Sequence, residues 1–189
     1  MNIHVLSHHD VMPKGVKVLD TTSRSLTYTK GVSPFFIGPV MANGLQAWNV
    51  ENAWQYSKVY PEHVDENNDP TPAYFEWRNK GYNSKRAERY PMGKGAVPLY
   101  SLWNGERLSY VEARKKIYIP LYAAAVQQTE AFAKLKSECE TLDEVVLLDF
   151  DAYDHRALNM SWERVINSTD KKMGHAFVLA MLIEGIKLP

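Results

Sequence analysis

Cysteine is nearly absent from this chain: Cys139 is the only thiol in 189 residues. No disulfide can close within it, so ordinary packing must hold the fold, and a reducing compartment suits it. Net charge is missing too, because 22 Lys and Arg are balanced by 22 Asp and Glu. A chain without net charge is no bulk polyelectrolyte, and any nucleic-acid contact must come from a local basic patch. Long apolar runs are also lacking. The best, Ile117 to Val126 and Phe177 to Ile183, fall short of the roughly 20 residues needed to span a bilayer. The opening residues carry neither the charged start nor the apolar stretch of a secretory signal. The expectation is a cytoplasmic protein that makes no membrane contact.

What is present is an ordinary globular composition, 45% hydrophobic and 23% charged, in a length that suits one domain. Aromatic residues make up 12%, enough both to fill a core and to line a pocket for a flat ring. The predicted class is α+β, mainly helical with a few short strands, forming a single domain over 1–189. Strands are expected at Val16 to Leu19, at Phe35 to Val40 before the turn Ala42-Asn43-Gly44, and at Val145 to Leu148. Helices are expected from Val50 to Val59, from Pro72 toward Tyr90, and from Ser109 through Leu135. Ser109 and Glu112 have capping-box spacing, and Pro120 should kink or break that helix. A last helix is predicted from Thr169 or Asp170 through Ile183. Residues 61–72 read as an acidic, turn-rich excursion, not a domain boundary.

Glu51, Gln55 and Lys58 fall on one narrow stripe of the first predicted helix, at i, i+4 and i+7. Such a stripe is either a solvated face or, given the flanking Trp48, Val50, Trp54 and Tyr56, a polar row turned into a cleft. Asp149, Asp151 and Asp154 follow a predicted strand, where either an exposed acidic loop or a site fits. They lack the glycine and distal glutamate of a calcium loop, and the six histidines show no zinc-site spacing, so no metal is expected. Lys80 to Lys94 is the one basic stretch and includes Lys85, Arg86 and Arg89. It reads equally as a solvated helix face or as a surface for phosphates. No Walker loop, dinucleotide fingerprint or serine elbow is present.

The order Ser33-Pro34-Phe35-Phe36, Gly38-Pro39, Gly44, Trp48, Glu51, Gln55, Lys58 resembles the opening block of the NADAR superfamily, as in its YbiA-like members. Tyr110 to Leu135, Asp151-Ala152-Tyr153 and Lys172 to Met181 are similar to later blocks of that family. The resemblance runs over about 33–186, leaving 1–32 as an N-terminal strand and extension. It implies a NADAR/YbiA-like domain that hydrolyses an N-glycosidic or ADP-ribosyl bond, on an ADP-ribosylated nucleobase or a nucleotide-like metabolite. Carried over by position, Glu51 and Asp151 are the catalytic carboxylates that activate water and stabilise a cationic ribose C1. Trp48, Gln55, Lys58, Ser33, Phe35, Asn43, Gly44 and Tyr153 become substrate-binding candidates, and Lys85, Arg86 and Arg89 phosphate contacts. No cofactor is implied, since water is the nucleophile. Tyr153-Asp154 stand where the family carries Trp-Gly. That departure favours the alternative of an inactive ADP-ribose or nucleotide-binding module, and the basic stretch favours a DNA- or RNA-base-modifying enzyme.

Overall fold

In a computed structural model that describes all 189 residues, the chain mixes helices with three small sheets, an α+β architecture. The first sheet is wholly parallel and joins two N-terminal strands to one from late in the chain. β1 (Asn2–Leu6) and β2 (Lys17–Asp20) flank the central β8 (Glu144–Leu148). Ile3 pairs with Val145 and Val5 with Leu147, while Val18 lies opposite Val146. Ile3, Val5, Val145 and Leu147 are fully buried and meet α7 (His175–Ile183), whose residues from Ala176 to Met181 are all buried. A helix apolar on every side can only be an interior one. The sequence placed β2 and β8 within a residue or so and left 1–32 as an N-terminal strand and extension, without bounds for β1. β1 is in fact an integral strand.

β3 (Val40–Ala42) and β4 (Leu45–Ala47) form a hairpin about Asn43 and Gly44. The predicted strand from Phe35 contributes only its last residue. Residues 33–39 are irregular and carry a cis Gly38–Pro39 bond. α1 (Val50–Gln55) stops four residues earlier than predicted, because Lys58 and Val59 leave as β5 (Lys58–Val59) to pair with β6 (Tyr100–Trp103). β6 and β7 (Glu106–Leu108), absent from the sequence reading, complete that sheet. The excursion at 61–72 holds a 3-10 turn at Pro61–His63 and a loop in which Asp65 accepts the amides of Asn67 and Asp69.

α2 (Pro72–Tyr82) ends well short of Tyr90. Gly81 is no simple weak point in it, since a β-carbon there would lie 2.2 Å from the Tyr56 ring. The helix ends because the buried Asn52 gathers the chain that follows. Its amide nitrogen approaches the carbonyls of Gly81, Ser84 and Arg86, and its oxygen accepts from the Glu88 amide.

The capping box at Ser109 and Glu112 forms as expected and starts α3 (Tyr110–Ala113). The disturbance foreseen at Pro120 takes the form of a π-helical turn, Arg114–Tyr118, just ahead of α4 (Ile119–Val126), with the Ile119 amide bonded to the Arg114 carbonyl. Proline has no amide hydrogen to continue the normal ladder, and the wider turn absorbs the loss. A break at Gln127 to Thr129, where the sequence reading ran on, separates α5 (Glu130–Glu140). α6 (Trp162–Asn167) was not foreseen. α7 begins at His175, five to six residues later than predicted, because residues 168–174 are spent shaping a wall of the cleft described next. No helix is long and apolar enough to cross a membrane.

Candidate functional site

The three strands of the parallel sheet end together at Leu6, Asp20 and Leu148. Space beyond the carboxyl ends of parallel strands is where such sheets bind ligands. A cleft of about 780 Å³ opens there, within the size range of small-molecule sites. The exit of β8 supplies Asp149, Phe150 and Asp151, and the exit of β2 supplies Ser23 and Arg24.

α1 forms one side of the cleft. Asn49 caps it by accepting the Asn52 amide at 2.8 Å, and the Glu51 amide reaches the Pro34 carbonyl, which brings Ser33 to Phe35 alongside. Glu51, only 5% exposed, accepts a hydrogen bond from Gln55 at 2.9 Å, and the Gln55 oxygen accepts one from the Lys58 ammonium at 2.8 Å. The row predicted by helical spacing therefore exists and faces the cleft, though Lys58 joins it from β5. Burial is the main influence on Glu51 and raises its carboxyl above the ordinary value, against the pull of Gln55, Lys58, Arg89 and His175. Burial also lowers the Lys58 ammonium to about 8, and its Nζ stands 4.8 Å over the Trp54 ring.

Asp149 and His175 face each other elsewhere in the lining, with Oδ2 and Nδ1 3.0 Å apart. The Nε2 of His175 lies 2.8 Å from the Thr21 carbonyl, which can only accept, so that nitrogen carries a hydrogen. With a carboxylate at the other nitrogen, the ring is an imidazolium. Burial opposes that charge, but Asp149 outweighs it and raises the histidine above its usual value. Asp149 is likewise lowered, as His175 and the amides of Ala176 and Phe150 overcome the cost of its burial. Gly174 makes this possible: a β-carbon there would sit 2.2 Å from Asp149 Oδ2.

Asp151 is bound to Arg89 at 2.6 Å, with the Lys172 ammonium 3.9 Å away. Arg114 and Tyr118, both from the π-helical turn, also line the space. The Arg114 guanidinium is buried and donates to the carbonyls of Val165, Ile166, Ser168 and Lys171, pinning the segment before α7. Among lining side chains, Lys and Arg outnumber carboxylates six to four.

Of the candidates named from sequence, Glu51, Asp151, Gln55, Lys58, Ser33, Phe35 and Arg89 line the cleft. Six others do not. Trp48 is 40% exposed under Lys85, and the tryptophan that lines the cleft is Trp54, six residues on. Asn43 and Gly44 turn the hairpin, with Asn43 bonded to Tyr82, Leu102 and Asn104. Tyr153 packs on Phe177, their ring centres 4.8 Å apart, and so belongs to the core. Lys85 and Arg86 stay outside while Arg89 turns in, since a fold anchored on Asn52 replaces the helix expected there. The sequence reading missed His175, Arg114, Tyr118 and Arg24 as site residues, while Asp149 was placed at a strand exit where a site fits but was given no role.

The cleft at the carboxyl edge of the parallel sheet, lined by a buried acid and by exposed cations, is the candidate site. The chain itself belongs to DUF6939, a family of unknown function, whose sequence pattern matches residues 4–161. No curated protein and no solved structure matches it.

Proposed function

We propose that this protein hydrolyses an N-glycosidic or ADP-ribosyl bond in a nucleotide-like ligand, on a NADAR/YbiA-like domain, with Glu51 as the carboxylate that works on water. Glu51 carries the reading: it is buried at the base of the cleft, its carboxyl sits above the ordinary range, and its hydrogen-bonded neighbour is a neutral amide. Asp149 is committed to His175 and Asp151 to Arg89, so neither is as free to take a proton. Asp151 thereby becomes the group that holds Arg89, a narrower role than the resemblance gave it.

In this reaction the water oxygen bonds to the ribose C1 as the C1–N bond breaks. Glu51 takes the water proton, and the departing base leaves with the C–N electron pair and gains a proton. The positive charge that develops on the sugar is stabilised by a carboxylate close by. The Lys58 ammonium, reaching Glu51 through Gln55, fixes the orientation of the acid and contributes a charge of the right sign for an anionic ligand. The rings of Trp54, Tyr60 and Tyr118 offer flat apolar surface for a base.

The second reading, binding without turnover, draws on Tyr153. Its ring lies in the core where the resemblance puts a substrate-facing element. One experiment separates the two. Purified protein, Glu51→Gln and Asp151→Asn are incubated with ADP-ribosylated guanine DNA, ADP-ribosylated thymine DNA, NAD and free nucleotides, and released base or ADP-ribose is read by mass spectrometry. Release that falls by about 10²- to 10⁴-fold in Glu51→Gln supports the hydrolase. Tight ADP-ribose binding without release supports the binding module, and neither release nor binding overturns both.

A further inference from the structure

The mouth of the cleft holds an arrangement that stability alone does not explain. Arg24, Phe150, Arg89, Tyr90 and Lys172 form an alternating row of cation, ring, cation, ring, cation. The Arg24 and Arg89 guanidiniums stand 5.3 and 5.4 Å from the Phe150 centroid. Arg89 and Lys172 stand 5.3 and 5.8 Å from that of Tyr90. Two rings thus hold three like charges together, and only one carboxylate, Asp151, is paired with any of them. Arg24 forms no salt bridge.

Charge within the cleft sharpens the point. Glu51 acts on Lys58 through Gln55, Asp149 pairs with His175 and Asp151 with Arg89, while the Lys171 ammonium lies over the Tyr153 ring. Arg114 spends its charge on four backbone carbonyls. Arg24 has no carboxylate partner, and Lys172 has only a distant share of Asp151, which is already bonded to Arg89. Cations massed on low-dielectric walls repel one another and raise the local concentration of anions.

We propose that this row is an anion subsite that takes the diphosphate of a nucleoside-diphosphate-type ligand, and that the N-terminal segment completes it through Arg24. The lining carries six Lys and Arg against four carboxylates, an excess of cations that suits the negative charge of a bridging diphosphate, and guanidinium forks suit phosphate oxygens. The ligand is a small molecule and not a nucleic-acid strand: Lys85 and Arg86, which would extend a basic track, lie outside the cleft. The proposal deepens the reading above and rests on it in one respect, that the same cleft receives the substrate. Arg24 lies outside the region that resembles NADAR proteins, so the subsite is a feature of this chain.

The test is calorimetric titration of the whole protein at low salt with inorganic pyrophosphate, ADP, adenosine and a single-stranded oligonucleotide. Wild type, Arg24→Gln, Lys172→Gln and Glu51→Gln are compared, with thermal melting to verify that each variant is folded. Pyrophosphate should bind wild type, bind Glu51→Gln at least as tightly because a negative charge has left the cleft, and weaken about tenfold in Arg24→Gln and in Lys172→Gln. ADP should bind more tightly than adenosine in wild type, and Arg24→Gln should narrow the gap. Pyrophosphate that fails to bind wild type, or binds all variants equally, overturns the subsite, as does an oligonucleotide that binds more tightly than ADP. Arg24-dependent pyrophosphate binding without hydrolysis of any substrate keeps the subsite and removes the hydrolase. Hydrolysis whose KM ignores Arg24 does the reverse.

Discussion

Replacing Gly174 with alanine adds one carbon to the most crowded backbone position in the cleft. The residue has φ −78° and ψ 173°, a conformation any L-residue adopts, so backbone strain is not at issue. Space is. The new β-carbon would lie 2.2 Å from Asp149 Oδ2, 2.8 Å from its Cγ and 2.9 Å from the Asp151 carbonyl oxygen. Asp149 cannot swing aside cheaply, because it is held by the Phe150 amide at 2.7 Å, the Ala176 amide at 3.1 Å and His175 at 3.0 Å. Overpacking of this kind costs about 1–3 kcal/mol, and full separation of a buried ion pair about 3–5 kcal/mol. The two describe one displacement, so the expected loss is about 3 kcal/mol, or roughly 6–12 °C in Tm for a chain of this size. Urea unfolding followed by tryptophan fluorescence measures it. Gly185→Ala is the control, since nothing lies within 4 Å of a β-carbon there and only its φ of 70° is strained; it should cost about 1 kcal/mol. The penalty at Gly174 should also depend on pH. The lowered carboxyl of Asp149 contributes stability above its ordinary 3.8, and that contribution is lost as pH falls through the folded value. The raised His175 contributes fully below its ordinary 6.5, and loses that as pH rises through the folded value. The difference between wild type and Gly174→Ala should therefore be largest between these two ordinary values. A loss under about 0.5 kcal/mol, within the range of indifferent substitutions, would refute the reasoning, as would a pH-independent one.

Glu51→Gln should leave Tm unchanged or raise it, because a costly buried charge is removed; a large drop in scanning calorimetry would mean that Glu51 holds the fold together. Its raised carboxyl makes wild-type stability fall relative to Glu51→Gln as pH rises above 4.5, measurable by urea unfolding across pH. Binding of an anionic ligand should weaken above about pH 8 as the Lys58 ammonium loses its proton, and Lys58→Gln should remove that limb of a calorimetric pH profile. His155 is buried against Trp162, with ring centres 4.3 Å apart, and burial lowers its imidazole to about 4. The folded state keeps the neutral ring, so between pH 6.5 and about 4 protonation of the unfolded chain should remove about 2–3 kcal/mol of stability. His155→Phe should flatten that acid limb in urea titrations, and an unchanged limb would count against the assignment.

The parts of the fold that were legible from sequence are those decided within a few residues. Ser109 and Glu112 satisfy each other's amides wherever they occur at that spacing, and Asn43-Gly44 turns a hairpin on its own backbone preferences. Pro120 had to disturb its helix, although the disturbance is a π turn and not a kink. What escaped was set by partners far away in the chain. β1 is a strand because β8 lies beside it, 142 positions on by the pairing of Ile3 with Val145, and nothing local announces that. α1 stops at Gln55 because β6 claims Lys58 and Val59, yet the Glu51 row survives, since the long lysine side chain reaches Gln55 from a strand as well as from a helix.

The same contrast governs the site. Glu51, Gln55 and Lys58 were found because all three lie within eight residues, whereas Asp149 with His175 and Arg24 with Phe150 meet only once the parallel sheet brings the exits of β2 and β8 together. The buried acid row belongs to the segment that resembles NADAR proteins, while the free cation at the rim comes from the segment that does not. Placing Arg24 at the end of β2, next to the central strand, makes the N-terminal segment part of the ligand site as well as of the core. A truncation that removes residues 1–24 therefore strips two strands from the parallel sheet along with the cation, and only the point substitution Arg24→Gln separates binding from folding.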